Sequence, residues 1–470
     1  MLKKIFTNSA GILLSRILGF LRDLLTASIL GANIYSDIFF VAFKLPNLFR
    51  RIFGEGAFVQ SFLPSYTAST NKALFAAAVF QRFFLIIFSF SIIVTIFSPF
   101  FTKLIAFGFS EHLIDMAAPY VAINFYYLDF IFCVTFLAAL LQHKEHFATT
   151  AFSTALLNLS LIIALILFQQ APKETIVLAM SIAVLVGGAL QFILHLYMSY
   201  RLHILSRLFA GFFALKRKKD LIQKQLQHFY KNFFPAIWGN STAQISAFLD
   251  TWLASFLSAG SISYLYYANR ILQLPLALFA IATATALFPS IAKSLKHNEK
   301  QKALKLLEQS FFALFALLLF ATIGGILLAK EIIWLLFERG SFTHSDTVAT
   351  ASVLAMYMLG LLPYGLAKLF SLWLYATHRQ KEAAKIASYS LITNIIFSLL
   401  LIIPLKAAGL ALASSIAGFV LFFFSIKAFG FSKFIQIAKS RKLFWLLFAA
   451  AIEIAIILLI KEFWRIDANI

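Results

Sequence analysis

Uninterrupted apolar runs of about 20 residues recur along the whole of this sequence, the length that crosses ~30 Å of hydrocarbon. The stretches 83–107 and 443–460 are two of them. Such a chain is expected to be an all-α polytopic membrane protein. Composition agrees: 61% of residues are hydrophobic and 13% charged, against about 45–50% apolar and about 25% charged in an average soluble domain. One cysteine, Cys133, lies inside an apolar run, which excludes a disulfide framework or a thiolate metal site. It reads as a small buried hydrophobe. The basic start Met1-Leu2-Lys3-Lys4 is followed by Arg16 and Arg22 with no small-residue cleavage pattern, so no cleavable signal peptide is expected.

The apolar runs predict about thirteen spans, near 5–30, 35–64, 83–108, 117–141, 147–168, 174–200, 229–257, 262–292, 309–329, 347–377, 383–404, 407–428 and 442–461. Of the 40 Lys and Arg, 26 fall in the connections on the N-terminal side and seven in those on the opposite side. Seven more lie within spans. Basic loops face the cytoplasm. The N-terminus is therefore expected inside, and an odd span count puts the C-terminus outside, in the periplasm.

A net charge of +21 raises the question of nucleic acid. The alternating placement of the charge answers against it. The longest basic connection, 201–228, contains Lys216-Arg217-Lys218-Lys219 with no aromatic interleaving. It reads as an amphipathic helix lying on anionic membrane lipid.

Short segments repeat in order. Ala27-Ser28-Ile29-Leu30 returns as Ala254-Ser255-Phe256-Leu257, and Leu45-Pro46 as Leu274-Pro275. Phe62-Leu63-Pro64-Ser65 returns as Leu287-Phe288-Pro289-Ser290. Two pseudo-symmetric six-helix lobes are expected, 1–200 and 229–428, joined by the linker 201–228. The remainder, 429–470, adds one extra C-terminal helix and a tail. Six spans per lobe give both lobes the same orientation, a known transporter architecture with substrate sites near the midplane.

Charges inside spans are costly and usually face an interior cavity. At 100° per residue, Ser15, Arg16, Gly19, Arg22 and Asp23 share one sector of the first span, and Leu13, Leu14, Ile17, Phe20, Leu21, Leu24 and Leu25 the other. In the second span Lys44, Asn47, Arg50, Arg51, Gly54 and Glu55 share a face. Pro46 and Gly54-Glu55-Gly56 are expected to bend or break that helix. Asp37 lies near its outer end, and Asp250 and Arg270 are the matching charges of the second half. Arg16, Arg22, Arg50, Arg51 and Arg270 outnumber Asp23, Asp37 and Glu55 by two, so a central cationic cavity suited to an anion of about −2 is expected. Guanidinium forks bind phosphate bidentately. The competing reading is that Arg and Asp pair internally and hold helices together.

At these residues a family resemblance emerges. Ser15-Arg16-Ile17-Leu18-Gly19-Phe20-Leu21-Arg22-Asp23, then Gly31-Ala32, then the block running from Asp37-Ile38-Phe39-Phe40 through Lys44-Leu45-Pro46-Asn47-Leu48-Phe49-Arg50-Arg51-Ile52-Phe53-Gly54-Glu55-Gly56 to Phe58, closely resembles the N-terminal signature of the MurJ (MviN) lipid II flippase family. Tyr266-Tyr267-Ala268-Asn269-Arg270, Leu287-Phe288-Pro289-Ser290 and Leu336-Phe337-Glu338-Arg339-Gly340-Ser341-Phe342-Thr343 extend the resemblance over most of the chain.

The resemblance implies the multidrug/oligosaccharidyl-lipid/polysaccharide exporter fold and alternating access. It implies a transporter of the bacterial cytoplasmic (inner) membrane, not an enzyme. The implied substrate is lipid II, the undecaprenyl-diphosphate-linked disaccharide-peptide precursor of peptidoglycan, moved to the outer leaflet. It also implies cavity-lining roles for Arg16, Arg22, Arg50 and Arg270, and binding or gating roles for Asp23, Asp37 and Glu55. A monomer working with cell-wall synthesis proteins is expected. Two departures stand out. The family usually has fourteen spans where thirteen are counted here, which puts its lipid-tail groove in question, and Asn269 replaces an acidic residue often found before the arginine. Some members carry a sodium site in the second lobe. Asp250 and Asn394 are the nearest candidates for that coupling ion, with an interhelical hydrogen bond as the competing role of Asn394. No other cofactor is implied.

Other readings remain. An exporter of the same fold for drugs or another polyprenyl-linked glycan would share the architecture, but the arginines favour a diphosphate over cationic drugs. A membrane enzyme on polyprenyl phosphates would need paired acids for a metal, and no adjacent Asp or Glu pair occurs. His143-Lys144-Glu145-His146 reads as a solvated turn. A non-transporting scaffold would not require a cationic cavity.

Overall fold

The computed structural model describes residues 2–54, 57–439 and 441–467. The described residues form twenty α-helices and no strand. In chain order these begin α1 (Leu2–Leu30), α2 (Ile34–Gly54), α3 (Ala57–Ala68), α4 (Lys72–Ile96), α5 (Ser98–Ile105), α6 (Glu111–Phe125), α7 (Tyr127–His143), α8 (Ala148–Leu167), α9 (Lys173–Arg201) and α10 (Ile204–Lys218). A short 3₁₀ turn, Lys219–Ile222, leads to α11 (Gln223–Ala254). Then come α12 (Ser261–Pro275), a π-turn (Leu276–Ile281), α13 (Ala282–Lys296), α14 (Lys300–Leu327), α15 (Ala329–Phe337), α16 (His344–Leu359) and α17 (Leu361–Ala376). The chain closes with α18 (Gln380–Phe429), α19 (Phe431–Ala438) and α20 (Arg441–Asp467).

Nine helical segments among the described residues are long and apolar enough to cross a membrane. The expected spans missing from that set are those of α1, α2–α3 and α11. The first two carry the charges Arg16, Arg22, Asp23, Lys44 and Arg50, which lower their apolarity. One of the nine, α18, is 50 residues long and turns back at Lys406, whose φ is 51°. Ser390 donates to the Ala417 carbonyl at 2.8 Å, and Asn394 to Ser414 Oγ at 2.9 Å, so its two arms are antiparallel neighbours.

Residues divide into two compact units. The first runs to Gly260 and includes Arg339–Ser341; the second holds Ser261–Glu338 and the chain from Phe342 onward. In the first unit α1 packs on α8, α8 on α9, α9 on α7, α2 on α6, α10 on α4 and α11 on α3. Lipid tails are as apolar as a phenylalanine ring, so helix association here relies on close packing rather than on expelling water. The rings show that packing. Phe58 stacks on Phe62 at 5.2 Å and meets Phe132 edge-on at 5.8 Å, while Phe83 meets Phe233 edge-on at 5.1 Å. Pairs of this kind contribute roughly 0.5–1.5 kcal/mol each beyond area burial. Phe229 and Phe233, fully buried, tie α11 into this cluster. The contact boundary therefore falls after α11, whereas the sequence repeat places its second lobe from residue 229.

In the second unit α12 packs on α16, α16 and α17 on α18, and α14 on α17 and α20. Helix α16 opens with a capping box: Thr343 N–H donates to Asp346 Oδ2 at 2.8 Å, and Asp346 N–H to Thr343 Oγ1 at 3.4 Å. Such a box satisfies orphan donors of the first turn. Tyr264 on α12 donates to the other carboxylate oxygen of Asp346 at 3.0 Å, fixing the two helices together. Helix α20 exposes Phe444, Trp445, Phe448 and Leu459. Its Lys461 pairs with Glu331 of α15 at 2.9 Å.

Candidate functional site

The signature residues of α1 take their positions from α8. Gly19 lies against Asn158, and the Asn158 amide donates to the Ser15 carbonyl at 3.0 Å. One helical turn on, Arg22 Nη1 donates to Asn158 Oδ1 at 3.0 Å. Arg22 Nε and Nη2 both donate to Asp23 Oδ1, at 3.1 and 2.6 Å. Arg22 and Asp23 are 8% and 2% exposed, so this is a buried pair inside the bilayer span. The polar sector expected from the sequence thus turns Ser15, Gly19, Arg22 and Asp23 toward α8, while Leu13, Ile17 and Leu21 stand exposed. Arg16 is exposed on α1. A guanidinium held by a neighbouring carboxylate and an amide is preorganised in a low-dielectric setting. Its orientation is set before any anion arrives.

On α2, Arg50 is half-buried and folds back on its own helix: Nε and Nη2 each donate to Asn47 Oδ1 at 3.2 Å. Asn47 is one turn earlier on the face the sequence assigned to both. The side chain of Arg51, and Glu55 altogether, lie outside the described residues. Asp37, in the first turn of α2, is 2% exposed, and its Oδ2 accepts from the Gly260 N–H at 2.7 Å. In the second unit Arg270 donates from Nη2 to Tyr266 Oη at 2.7 Å, and its guanidinium sits 4.8 Å from the centre of the Tyr266 ring. This pairing of hydrogen bond and cation–π contact comes from one helical turn of the Tyr266–Arg270 motif.

The loop between α1 and α2 is backed by the Arg339–Ser341 loop, which belongs to the same unit. Ser341 N–H donates to the Ser28 carbonyl at 2.7 Å. Gly31 has φ of 78° and Gly340 φ of 58°. A Cβ on Gly31 would collide with the Ser341 carbonyl, and one on Gly340 with that of Ser28. Both glycines are therefore required twice over, by conformation and by contact.

The two sodium-site candidates fall in different units. Asn394 spends its amide within the α18 hairpin, donating to Ser414 and accepting from Ser398 Oγ at 3.1 Å. Asp250 is half-buried on α11. Among the described residues no group of three or more His, Cys, Asp or Glu is arranged to hold a metal ion.

Three intramembrane polar residues were not singled out from the sequence. Asn158 is the link between Arg22 and Ser15. Asp129, 8% exposed on α7, lies beside Ser91 of α4. Lys368 is carried by α17. The signal that would have found them is their type alone, since an ionisable or amide side chain within an apolar run is a functional candidate by default.

Residues 26–467 match the family described as Lipid II flippase MurJ. The chain is similar to the probable lipid II flippase MurJ of Helicobacter pylori (strain ATCC 700392 / 26695). The two are 50% identical over 446 residues, covering 93% of this chain and 96% of that protein. It is 33% identical to the namesake from Buchnera aphidicola subsp. Acyrthosiphon pisum (strain APS), over 98% of this chain and 89% of that one. Among solved structures, it is similar to one described as lipid II flippase MurJ in an inward closed conformation. That similarity has a TM-score of 0.78 at 26% identity, covering 98% of this chain and 99% of the other. An inward-facing multidrug resistance MATE family transporter shares the fold, with a TM-score of 0.70 at 13% identity over 90% of this chain and 95% of that one.

Proposed function

The chain belongs to the MurJ family of lipid II flippases, and we infer from that membership and from the intramembrane arginines that it moves lipid II across the bilayer. It is a transporter, not an enzyme. The single observation that carries the chemistry is the buried Arg22, presented by Asp23 and Asn158 within a membrane span. A cation so placed must offset its desolvation through partners or a ligand. A lipid-linked diphosphate offers the oxygens that a guanidinium fork fits. We assign Arg16, Arg22, Arg50, Arg51 and Arg270 to substrate binding, and Asp23, Asp37 and Glu55 to positioning and gating.

Alternating access between two repeats is the mechanism we propose. The order of broken helices supports the repeat. The pairs α2–α3, α4–α5 and α6–α7 are echoed by α12–α13, α14–α15 and α16–α17. Then α8 and α9 are echoed by the two arms of α18. Counting α1 and α11 as the first member of each series, with α20 as an addition, gives thirteen spans. The proposed location is the bacterial cytoplasmic membrane with the N-terminus inside and the C-terminus outside. Sodium at Asp250 is a proposal for the coupling ion, and a monomer for the working state.

The test is depletion of this protein in its bacterium, followed by measurement of which leaflet holds lipid II. Accumulation in the inner leaflet, reversed by the wild-type chain and not by Arg22→Ala, is the expected result. Normal outer-leaflet lipid II on depletion would overturn the assignment.

A further inference from the structure

Helix α10 carries the expected amphipathic linker, and it does more than lie on the membrane. Ile204 and Leu208 are buried, and Gly211 packs so closely on α4 that a Cβ there would strike the Ala73 carbonyl. Between α10, the end of α3, the start of α4 and the end of α7 lies a cavity of about 190 Å³. Its walls carry Lys72, Lys144 and Arg207 together with Tyr66 and His143; its floor is apolar, with Leu140 and Ile204. Among the described residues no carboxylate lines it.

The polar rim is organised. Tyr66 and His143 meet edge-to-face at 4.9 Å, Thr67 Oγ1 lies 3.4 Å from His143 Nδ1, and Lys72 Nζ lies 6.0 Å from the Tyr66 ring centre. The volume is below the ~300–1,000 Å³ of sites for drug-sized molecules. It suits a small anionic group.

The pocket gathers the end of α7 and the start of α4, where their apolar runs stop and a bilayer's headgroups would begin. Tyr197 and Tyr200 are exposed at the end of α9, an aromatic placement typical of the membrane–water boundary. Phe209 and Phe213, exposed on α10, lie on the face opposite Ile204, Leu208 and Gly211, turned away from α4. All three cations belong to the connections with the excess of Lys and Arg, the side that faces anionic lipid.

We propose that this pocket binds the phosphodiester headgroup of an anionic phospholipid, with Arg207, Lys72 and Lys144 around the phosphate. The bound lipid would fasten α10 to α4 and α7. This site is separate from the arginines assigned to lipid II.

The experiment uses the full-length protein in phosphatidylcholine nanodiscs, with and without phosphatidylglycerol, reading bound lipid by native mass spectrometry and stability by thermal melting. Phosphatidylglycerol should be retained selectively and raise the melting temperature. Lys72→Gln with Arg207→Gln should weaken retention about 30-fold, from the loss of two contacts each worth roughly a fivefold change. Arg217→Gln with Lys218→Gln removes the same amount of charge from α10 outside the pocket and should change little. Lys72→Arg with Arg207→Lys keeps the charge and should keep the lipid, which separates binding from folding. Equal retention by the Lys72→Gln/Arg207→Gln protein would overturn the site. Inorganic phosphate reproducing the full stabilisation in pure phosphatidylcholine would overturn the lipid assignment in favour of a free anion.

Discussion

Asp37 Oδ2 accepts a 2.7 Å hydrogen bond from the backbone N–H of Gly260, across 223 positions of sequence. The carboxylate is 2% exposed, and a hydrogen bond to a charged group contributes roughly 1.5–3 kcal/mol. Asp37→Ala should therefore speed hydrogen exchange at the Gly260 amide by about 10–150-fold. Asp37→Asn, which keeps an acceptor, should have a smaller effect. Wild-type exchange in the alanine variant would remove Asp37 from any gating role.

Asn158 holds both Arg22 Nη1 and the Ser15 carbonyl. Replacing it by Leu keeps the volume and leaves a buried cationic donor short of a partner, at a cost of roughly 1–3 kcal/mol. The variant should melt at lower temperature and complement a depleted strain poorly. Full complementation with an unchanged melting profile would make Asn158 a bystander.

Planar forks and point charges can be told apart. Lys at Arg16, Arg22, Arg50 or Arg270 keeps the charge but loses the bidentate geometry, and each variant should lose much of the transport. At Arg270 the stacking on Tyr266 is lost as well, so Tyr266→Phe, which spares the ring and removes the hydroxyl, should be milder than Arg270→Lys. Four fully active lysine variants would leave only general electrostatic attraction.

Reporter fusions after residues 72, 144, 217, 300, 381 and 435 should read cytoplasmic, and one at the C-terminus periplasmic, given the division of 26 basic residues against seven. A cytoplasmic C-terminus would show that the span count is off by one.

The excess of two positive charges among the assigned residues should make the empty carrier sensitive to voltage. Each charge crossing the full field is worth ~2.3 kcal/mol per 100 mV, so potential should return the unloaded protein to the inward-facing state. In a Cys133→Ala background, a cysteine at the outer mouth should label faster after an uncoupler. Unchanged labelling with the potential verified as collapsed would redirect attention to a cation site near Asp250.

Much of this architecture was legible because lipid leaves so few options. An apolar run long enough to span must close its hydrogen bonds within itself, so the helical class and the placing of helical segments follow from run length. Periodicity also grouped Ser15, Arg16, Gly19, Arg22 and Asp23 on one face, although Arg16 stands exposed. Periodicity could not say what that face meets. The answer lies in Asn158, 136 residues after Arg22, and a period carries no information about a neighbour that far away. Helix α2 runs unbroken through Pro46, where the sequence predicts a bend or break, and ends at Gly54. The break at Tyr126 between α6 and α7 has no proline or glycine beside it, so nothing in the local sequence marks it. The α10 pocket was hidden for the same reason: a basic connection looks alike whether its cations face water or line a cavity.

The reversal at Lys406 bears on how the chain enters the membrane during synthesis. Gly409 approaches the Leu401 carbonyl too closely to admit a Cβ, so the turn joining the two arms of α18 is only a few residues long. A connection so short cannot be threaded across the bilayer as a separate event. The arms are expected to leave the insertion machinery together, as one helical hairpin. The only charge that crosses with them is Lys406 at the tip, with a transient cost on the order of 2.5–3.5 kcal/mol at the bilayer centre. Lengthening that turn with polar residues should therefore slow membrane integration while leaving the substrate-binding arginines untouched.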